Sequence, residues 1–282
     1  LRARFSRAAR RAQAARRKRK ILPERGSAVK ETFRLWKAIF TKPEEGYKQI
    51  APETRLGLPM LFICVVLIAA GLLLIPVVTS DAYREASVRA TLNYMDKASL
   101  LSDPGARKNA ADALSSPLQH SIQLMNAVAG PVVSFFLALV SASGVLWLAG
   151  FALKSRIKFG VAMRVFAFTW AVFAWATLLQ SVVLLLSDYE GMFARITTLA
   201  AFRYALSVPF SLSILFPPGS ASPAVVLAVD FVTNLFNIIF YVLLFIGVRV
   251  QSEKPERWKA GAATGAVAFL HFLMVVVPAF FI

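Results

Sequence analysis

Asp230, Asn234, Asn237 and Tyr241 recur at i, i+4, i+7 and i+11 inside an otherwise apolar run. That spacing predicts one polar stripe along a single helix. An ionisable group at membrane depth is costly and marks a functional suspect. One reading makes Asp230 the titrating group of an ion or proton path. The other makes the stripe a set of interhelical hydrogen bonds that fix packing. The second is favoured, because no other apolar run contains a further acid, Lys or Arg to relay a proton or pair the charge.

His271, in the last apolar run, invites metal or acid–base chemistry. Zinc wants three or four N/S/O ligands, and the only other histidine, His120, lies in a polar segment. Hydrogen bonding to a neighbouring helix is the expected role. Cys64 is the sole cysteine, so no intramolecular disulfide can form. No H-E-x-x-H, C-x-x-C or glycine-rich phosphate loop occurs. Ser141-Ala142-Ser143-Gly144 has no histidine in its own run to activate a serine, and these read as packing residues. The expectation is a non-enzyme with no cofactor and no metal, bound lipid being compatible with the pattern. Gly261 and Gly265 form a GxxxG at the start of the last run, a spacing that permits close helix contact within the protein or with a partner.

The elements that must position these residues follow from composition. Of 282 residues 57% are hydrophobic and only 17% charged. Soluble domains hold about 45–50% apolar and about 25% charged residues, so an integral membrane protein is implied. A bilayer core ~30 Å thick needs about 20 apolar residues per crossing. Charge-free windows predict five spans, at about 56–79, 130–153, 165–186, 224–248 and 260–282. Residues 199–217 are apolar but interrupted by Arg203, Pro209 and Pro217, which suggests an interfacial or re-entrant segment. Residues 80–128 form an outer helical segment. There Val88, Leu92 and Met95 share a face, Asp103-Pro104-Gly105 signals a turn, and Ser116-Pro117 signals a helix start. The second span is therefore expected to begin outside the membrane and to bend at Gly130-Pro131.

Orientation follows from the Lys/Arg bias. Residues 1–56 hold 17 of the 32 Lys and Arg against five acids, a local charge of +12 out of +17 for the chain. The 154–164 connection adds Lys154, Arg156, Lys158 and Arg164, and the 249–259 connection adds Arg249, Lys254, Arg257 and Lys259. The alternate connections are balanced. Five crossings put the N-terminus in the cytoplasm and the C-terminus outside.

Residues 1–29 read as a polybasic cytoplasmic arm, with Arg2, Arg4, Arg7, Arg10, Arg11, Arg16, Arg17, Lys18, Arg19 and Lys20 in its first twenty positions and no acid among those twenty. Its composition suits a transit peptide, a nucleic-acid arm or a tether to anionic lipid, each basic residue being worth about 1 kcal/mol near such a surface. The chain begins at Leu1 rather than Met, so residues upstream are expected. Residues 30–55 read as an interfacial amphipathic helix and linker, with Phe33, Trp36, Ile39 and Phe40 on one face and Pro43 as the stop.

Taken together these features resemble the Yip1 domain family, particularly its bacterial members, over about residues 30–282. The resemblance rests on Trp36-Lys37-Ala38-Ile39-Phe40-Thr41-Lys42-Pro43-Glu44-Glu45-Gly46-Tyr47 before the first span. It rests also on Ala129-Gly130-Pro131 in the second span and on Lys158-Phe159-Gly160-Val161-Ala162-Met163-Arg164 at the third. Asp230-Phe231 and Ile246-Gly247-Val248 bracket the fourth. It implies five spans and a cytosolic N-terminus. Two departures stand out. The glycine pair common before the third span is replaced by the basic stretch 154–158. The Asp-Leu-Tyr-Gly-Pro element of eukaryotic members is not seen, which argues against carrying over their association with small GTPases and vesicle traffic.

The sequence thus predicts an all-α integral membrane protein, a five-helix bundle over 56–282. Its expected role is that of a scaffold, adaptor or accessory subunit docking partners or anionic headgroups on its basic face. The alternative is a small transporter or channel using the Asp230 stripe. Other membrane subunits are expected partners and nucleic acid is not. A bacterial cytoplasmic membrane is favoured over a eukaryotic endomembrane.

Overall fold

A computed structural model of the chain describes residues 25–51, 54–101, 103–198, 201–202, 210–211, 213, 222–253 and 256–277. The polybasic positions 2–20 and most of 199–217 lie outside the described residues, and so do the expectations placed on them. No strand occurs among the described residues. The helices are α1 (Arg25–Thr41), α2 (Pro43–Lys48), α3 (Gly57–Leu73), α4 (Ile75–Val78), α5 (Asp81–Lys97) and α6 (Pro104–Leu114). After them come α7 (Pro117–Ala152), α8 (Phe159–Leu186), α9 (Tyr189–Ala194), α10 (Pro223–Thr233), α11 (Leu235–Gln251) and α12 (Arg257–Val276).

Helices α7, α8 and α12 are each long and apolar enough to cross a membrane. The α10–α11 pair is a fourth candidate, bent by 52° at its junction. Helix α3 is equally apolar but has 17 residues, about 26 Å of rise, at the short end of what a crossing needs. One residue, Leu74, separates it from α4, where Pro76 sits in the first turn and supplies no N–H to the preceding helix.

Side chains cap the helices where the sequence offers an oxygen. Ser80, Asp103, Ser116, Asp188 and Ser222 each accept from the backbone N–H three residues on. Asp103-Pro104-Gly105 is therefore the cap and first turn of α6 rather than a free turn, because the aspartate oxygen accepts from Ala106 N at 2.7 Å. Helix α7 does start at Pro117, and it runs through Pro131 as one 36-residue element. On α5 the buried face is Tyr83, Ala86 and Ala90 with Leu92, while Val88 and Met95 are only partly covered. The small alanines let α5 approach α9, and Tyr83 packs on Phe193 there and on Phe202.

The core runs through α8, which buries Phe166, Ala167 and Phe168 on successive faces because α3, α7 and α11 surround it. Trp170 and Phe173 of α8 stack against Phe240 of α11, with Phe135 of α7 beside Trp170. Such ring pairs add about 0.5–1.5 kcal/mol each beyond the area they bury. Close backbone approach between α3 and α7 is bought by Gly71, where a Cβ would lie 2.6 Å from the Ala127 carbonyl oxygen.

The chain's connections sort to two ends of the bundle. At one end Arg249 of α11 pairs with Glu44 of α2, Arg156 reaches Glu253 at 4.0 Å, and Arg164 Nε donates to Thr54 O at 3.1 Å. At the other end Arg89 of α5 donates to Ala194 O at 2.9 Å, and Asn93 to Thr197 O at 2.9 Å. The N-terminal helices, the 154–158 connection and Glu253 share the first end. Helices α5 and α9 share the second.

Candidate functional site

The expected polar stripe is not a stripe on one helix. Asn234 stands at the break between α10 and α11 with extended backbone, φ −65° and ψ 122°. A break in an apolar helix frees backbone groups that hydrocarbon cannot satisfy. The local sequence supplies partners for them. Asn234 Oδ1 accepts from Phe236 N at 3.0 Å and caps α11. Asn237 Nδ2 donates to Phe231 O at 2.9 Å, and Leu235 N donates to Phe210 O at 3.1 Å.

Asp230 closes the same junction from the α10 side. Ser211 Oγ donates to its Oδ1 at 2.6 Å, Ser213 Oγ reaches the same oxygen at 3.4 Å, and Asn234 Nδ2 lies at 3.5 Å. The carboxylate is thus held through one oxygen, by Ser211 and Ser213 from the stretch expected to be interfacial or re-entrant and by Asn234. Tyr241 turns the other way. Its hydroxyl shares a 2.6 Å hydrogen bond with His271 Nδ1 of α12.

Between α8, α12 and the broken pair lies a cavity of about 300 Å³. Asp230 of α10, Asn234 at the break, Asn237 of α11 and His271 of α12 all line it. Tyr241 is not on its wall. Residues that sequence reasoning missed complete it: Thr177 and Gln180 of α8, and the rings of Trp170, Phe173, Phe231 and Phe236. Gln180 was legible as the one amide in the third apolar run, but a search for charge passes over it. Among the described residues no Lys or Arg lines this cavity, and no group of three or more His, Cys, Asp or Glu is placed to hold a metal ion.

The N-terminal helix also differs from expectation. It starts at Arg25 rather than near residue 30. Of the four residues expected on one face, Trp36 and Ile39 are buried at 5% and 0%, while Phe33 and Phe40 remain 49% and 44% exposed. Trp36 packs on Phe62 and Phe168, and its Nε1 donates to Phe168 O at 3.3 Å. Tyr47 of α2 is wholly buried and shares a 2.6 Å hydrogen bond with Thr169 Oγ1 of α8. Gly247 makes its room, since a Cβ there would lie 2.8 Å from the Tyr47 ring and 2.6 Å from Val165. Burial raises the Tyr47 hydroxyl well above the ordinary tyrosine range. Gln251 Nε2 donates to Tyr47 O and, at 3.2 Å, to Ile50 O.

Around this wedge Lys30, Arg34, Lys37, Arg55, Lys154 and Lys158 stay exposed. Lys154 and Arg156 hold left-handed backbone, φ 55° and 53°, with Ser155 buried between them and its N–H on Gly150 O at 2.9 Å. Gly261 and Gly265 do not bring helices together within the described chain. A Cβ at Gly261 would make only an ordinary 3.9 Å contact with Phe245, and one at Gly265 would meet nothing. Helix α12 instead buries Ala260, Ala263, Thr264 and Val267.

The family model described as the Yip1 domain matches residues 37–277. No curated protein and no solved structure matches the chain.

Proposed function

Because the chain belongs to the Yip1 domain family, we propose that this multi-pass integral membrane protein is a non-catalytic scaffold, adaptor or accessory subunit. Its basic end faces the cytoplasm and docks anionic headgroups and partner subunits. The observation that carries this reading is the way one end is built. The N-terminal hairpin is wedged into the bundle by Trp36 and Tyr47, while Arg249–Glu44, Arg156–Glu253 and Arg164–Thr54 tie the basic connections around it. The result is a fixed platform with Lys30, Arg34 and Lys37 outward. Helix α3 with α4 counts as the first crossing, since Thr54 just before it accepts from Arg164 at the basic end and Val77 and Val78 share a cluster with Phe193 at the other. Phe33 and Phe40, half exposed beside these cations, sit at the headgroup layer. A bacterial cytoplasmic membrane is the favoured host.

The test is native mass spectrometry of protein released from bilayer discs of phosphatidylglycerol and phosphatidylcholine. The wild type should retain phosphatidylglycerol in excess, and the excess should shrink as salt rises. The triple variant Lys30→Gln, Arg34→Gln, Lys37→Gln should lose most of it. An unchanged excess in the variant contradicts the docking face.

A second reading, transport, is favoured by the broken α10–α11 pair with a carboxylate at its junction, an arrangement that transporters use at their substrate sites. Proteoliposomes carrying a pH-sensitive dye separate the two: flux abolished by Asp230→Asn supports transport, and no flux in the wild type supports the platform.

A further inference from the structure

The cavity at the helix break is more specific than a gap between helices. Its wall combines one carboxylate, Asp230, with four aromatic rings, Trp170, Phe173, Phe231 and Phe236. Asn237 and Gln180 add neutral amides, and among the described residues no Lys or Arg lines the wall. Asp230 makes no ion pair among the described residues, and the three hydrogen bonds it accepts all come from neutral groups on one oxygen. A carboxylate within an apolar bundle calls for a positive partner. Aromatic faces around such a carboxylate select a partner whose charge is spread over carbon and nitrogen, since ring quadrupoles attract cations that shed water easily. The volume, about 300 Å³, is at the small end of ligand sites, enough for a headgroup-sized ion and too small for a peptide or nucleotide.

We propose that this cavity binds an organic ammonium ion, with the positive nitrogen between Asp230 and the rings of α8 and α10. The chemistry is shared by a free alkylammonium and by the headgroup of an ammonium-bearing lipid. The site is built from the α10–α11 junction and the far half of α8 and so stands apart from the basic platform. Failure of one leaves the other intact.

Two measurements on the full-length protein test it. Saturation-transfer NMR in lipid-free detergent uses choline as the soluble probe, with sodium chloride as the ionic-strength control. Native mass spectrometry from discs of phosphatidylglycerol and phosphatidylethanolamine reads the lipid arm. Choline transfer that sodium does not displace identifies a free ammonium ligand, and preferential retention of phosphatidylethanolamine identifies the headgroup. Either supports the site, provided Asp230→Asn weakens binding at least tenfold with an unchanged circular dichroism spectrum. Should Asp230→Asn not fold, Gln180→Trp, which fills the cavity from α8, must abolish the same signal. Absence of both signals in the wild type, or full binding in the variant that folds, overturns the proposal.

Discussion

Lys154 and Arg156 show where this chain accepts a local cost. Both hold left-handed backbone, which is unfavourable by about 1–2 kcal/mol for a residue with a Cβ. Glycine would relax either position, yet the connection keeps two cations there. Lys154→Gly should raise the thermal midpoint in detergent, by about 1 kcal/mol of stability, while reducing retention of anionic lipid. A variant that loses stability would show that the Lys154 side chain is held for packing instead. Tyr47 gives a second test. Its buried hydroxyl remains protonated where the unfolded chain, with an ordinary value near 10, ionises. Stability is then complete below pH 10 and falls as pH rises beyond it. Tyr83, raised by burial in the same direction, adds to that fall. Equilibrium unfolding from pH 7 to pH 11 should show the decline, with a shallower slope in Tyr47→Phe.

Among the elements, the broken α10–α11 pair was the least legible. Periodicity put Asp230, Asn234 and Asn237 on one straight axis, and no proline or glycine announced the bend. Asn234 was itself the signal, since asparagine is a preferred cap; within an apolar run it reads equally well as interhelical glue. Ser116-Pro117, by contrast, announced the start of α7 because cap and proline stand together. The wheel of α1 separated apolar from basic positions but not what the apolar side would meet, since Phe168 O and Phe62 come from distant sequence. Asn234→Ala removes the cap on Phe236 N and should cost about 1 kcal/mol, within a usual range of 0.5–2. Hydrogen exchange should show the loss as faster exchange confined to the first turn of α11; uniform destabilisation would mean the break is held elsewhere.

For the whole molecule, composition alone placed the chain in a membrane, and the Lys/Arg bias divided its connections into two sets. Among the described residues, Arg156–Glu253 joins two connections of the basic set and Arg89–Ala194 joins two of the balanced set. Sidedness is the premise on which the platform depends, and Cys64 is the only native thiol to remove. In a Cys64→Ser background, single cysteines at Lys37, Asp112 and Glu253 can be probed with a membrane-impermeant maleimide in intact cells. Asp112→Cys should label at once, and Lys37→Cys and Glu253→Cys only after permeabilisation. Labelling of Lys37→Cys and Asp112→Cys from the same side would contradict the account.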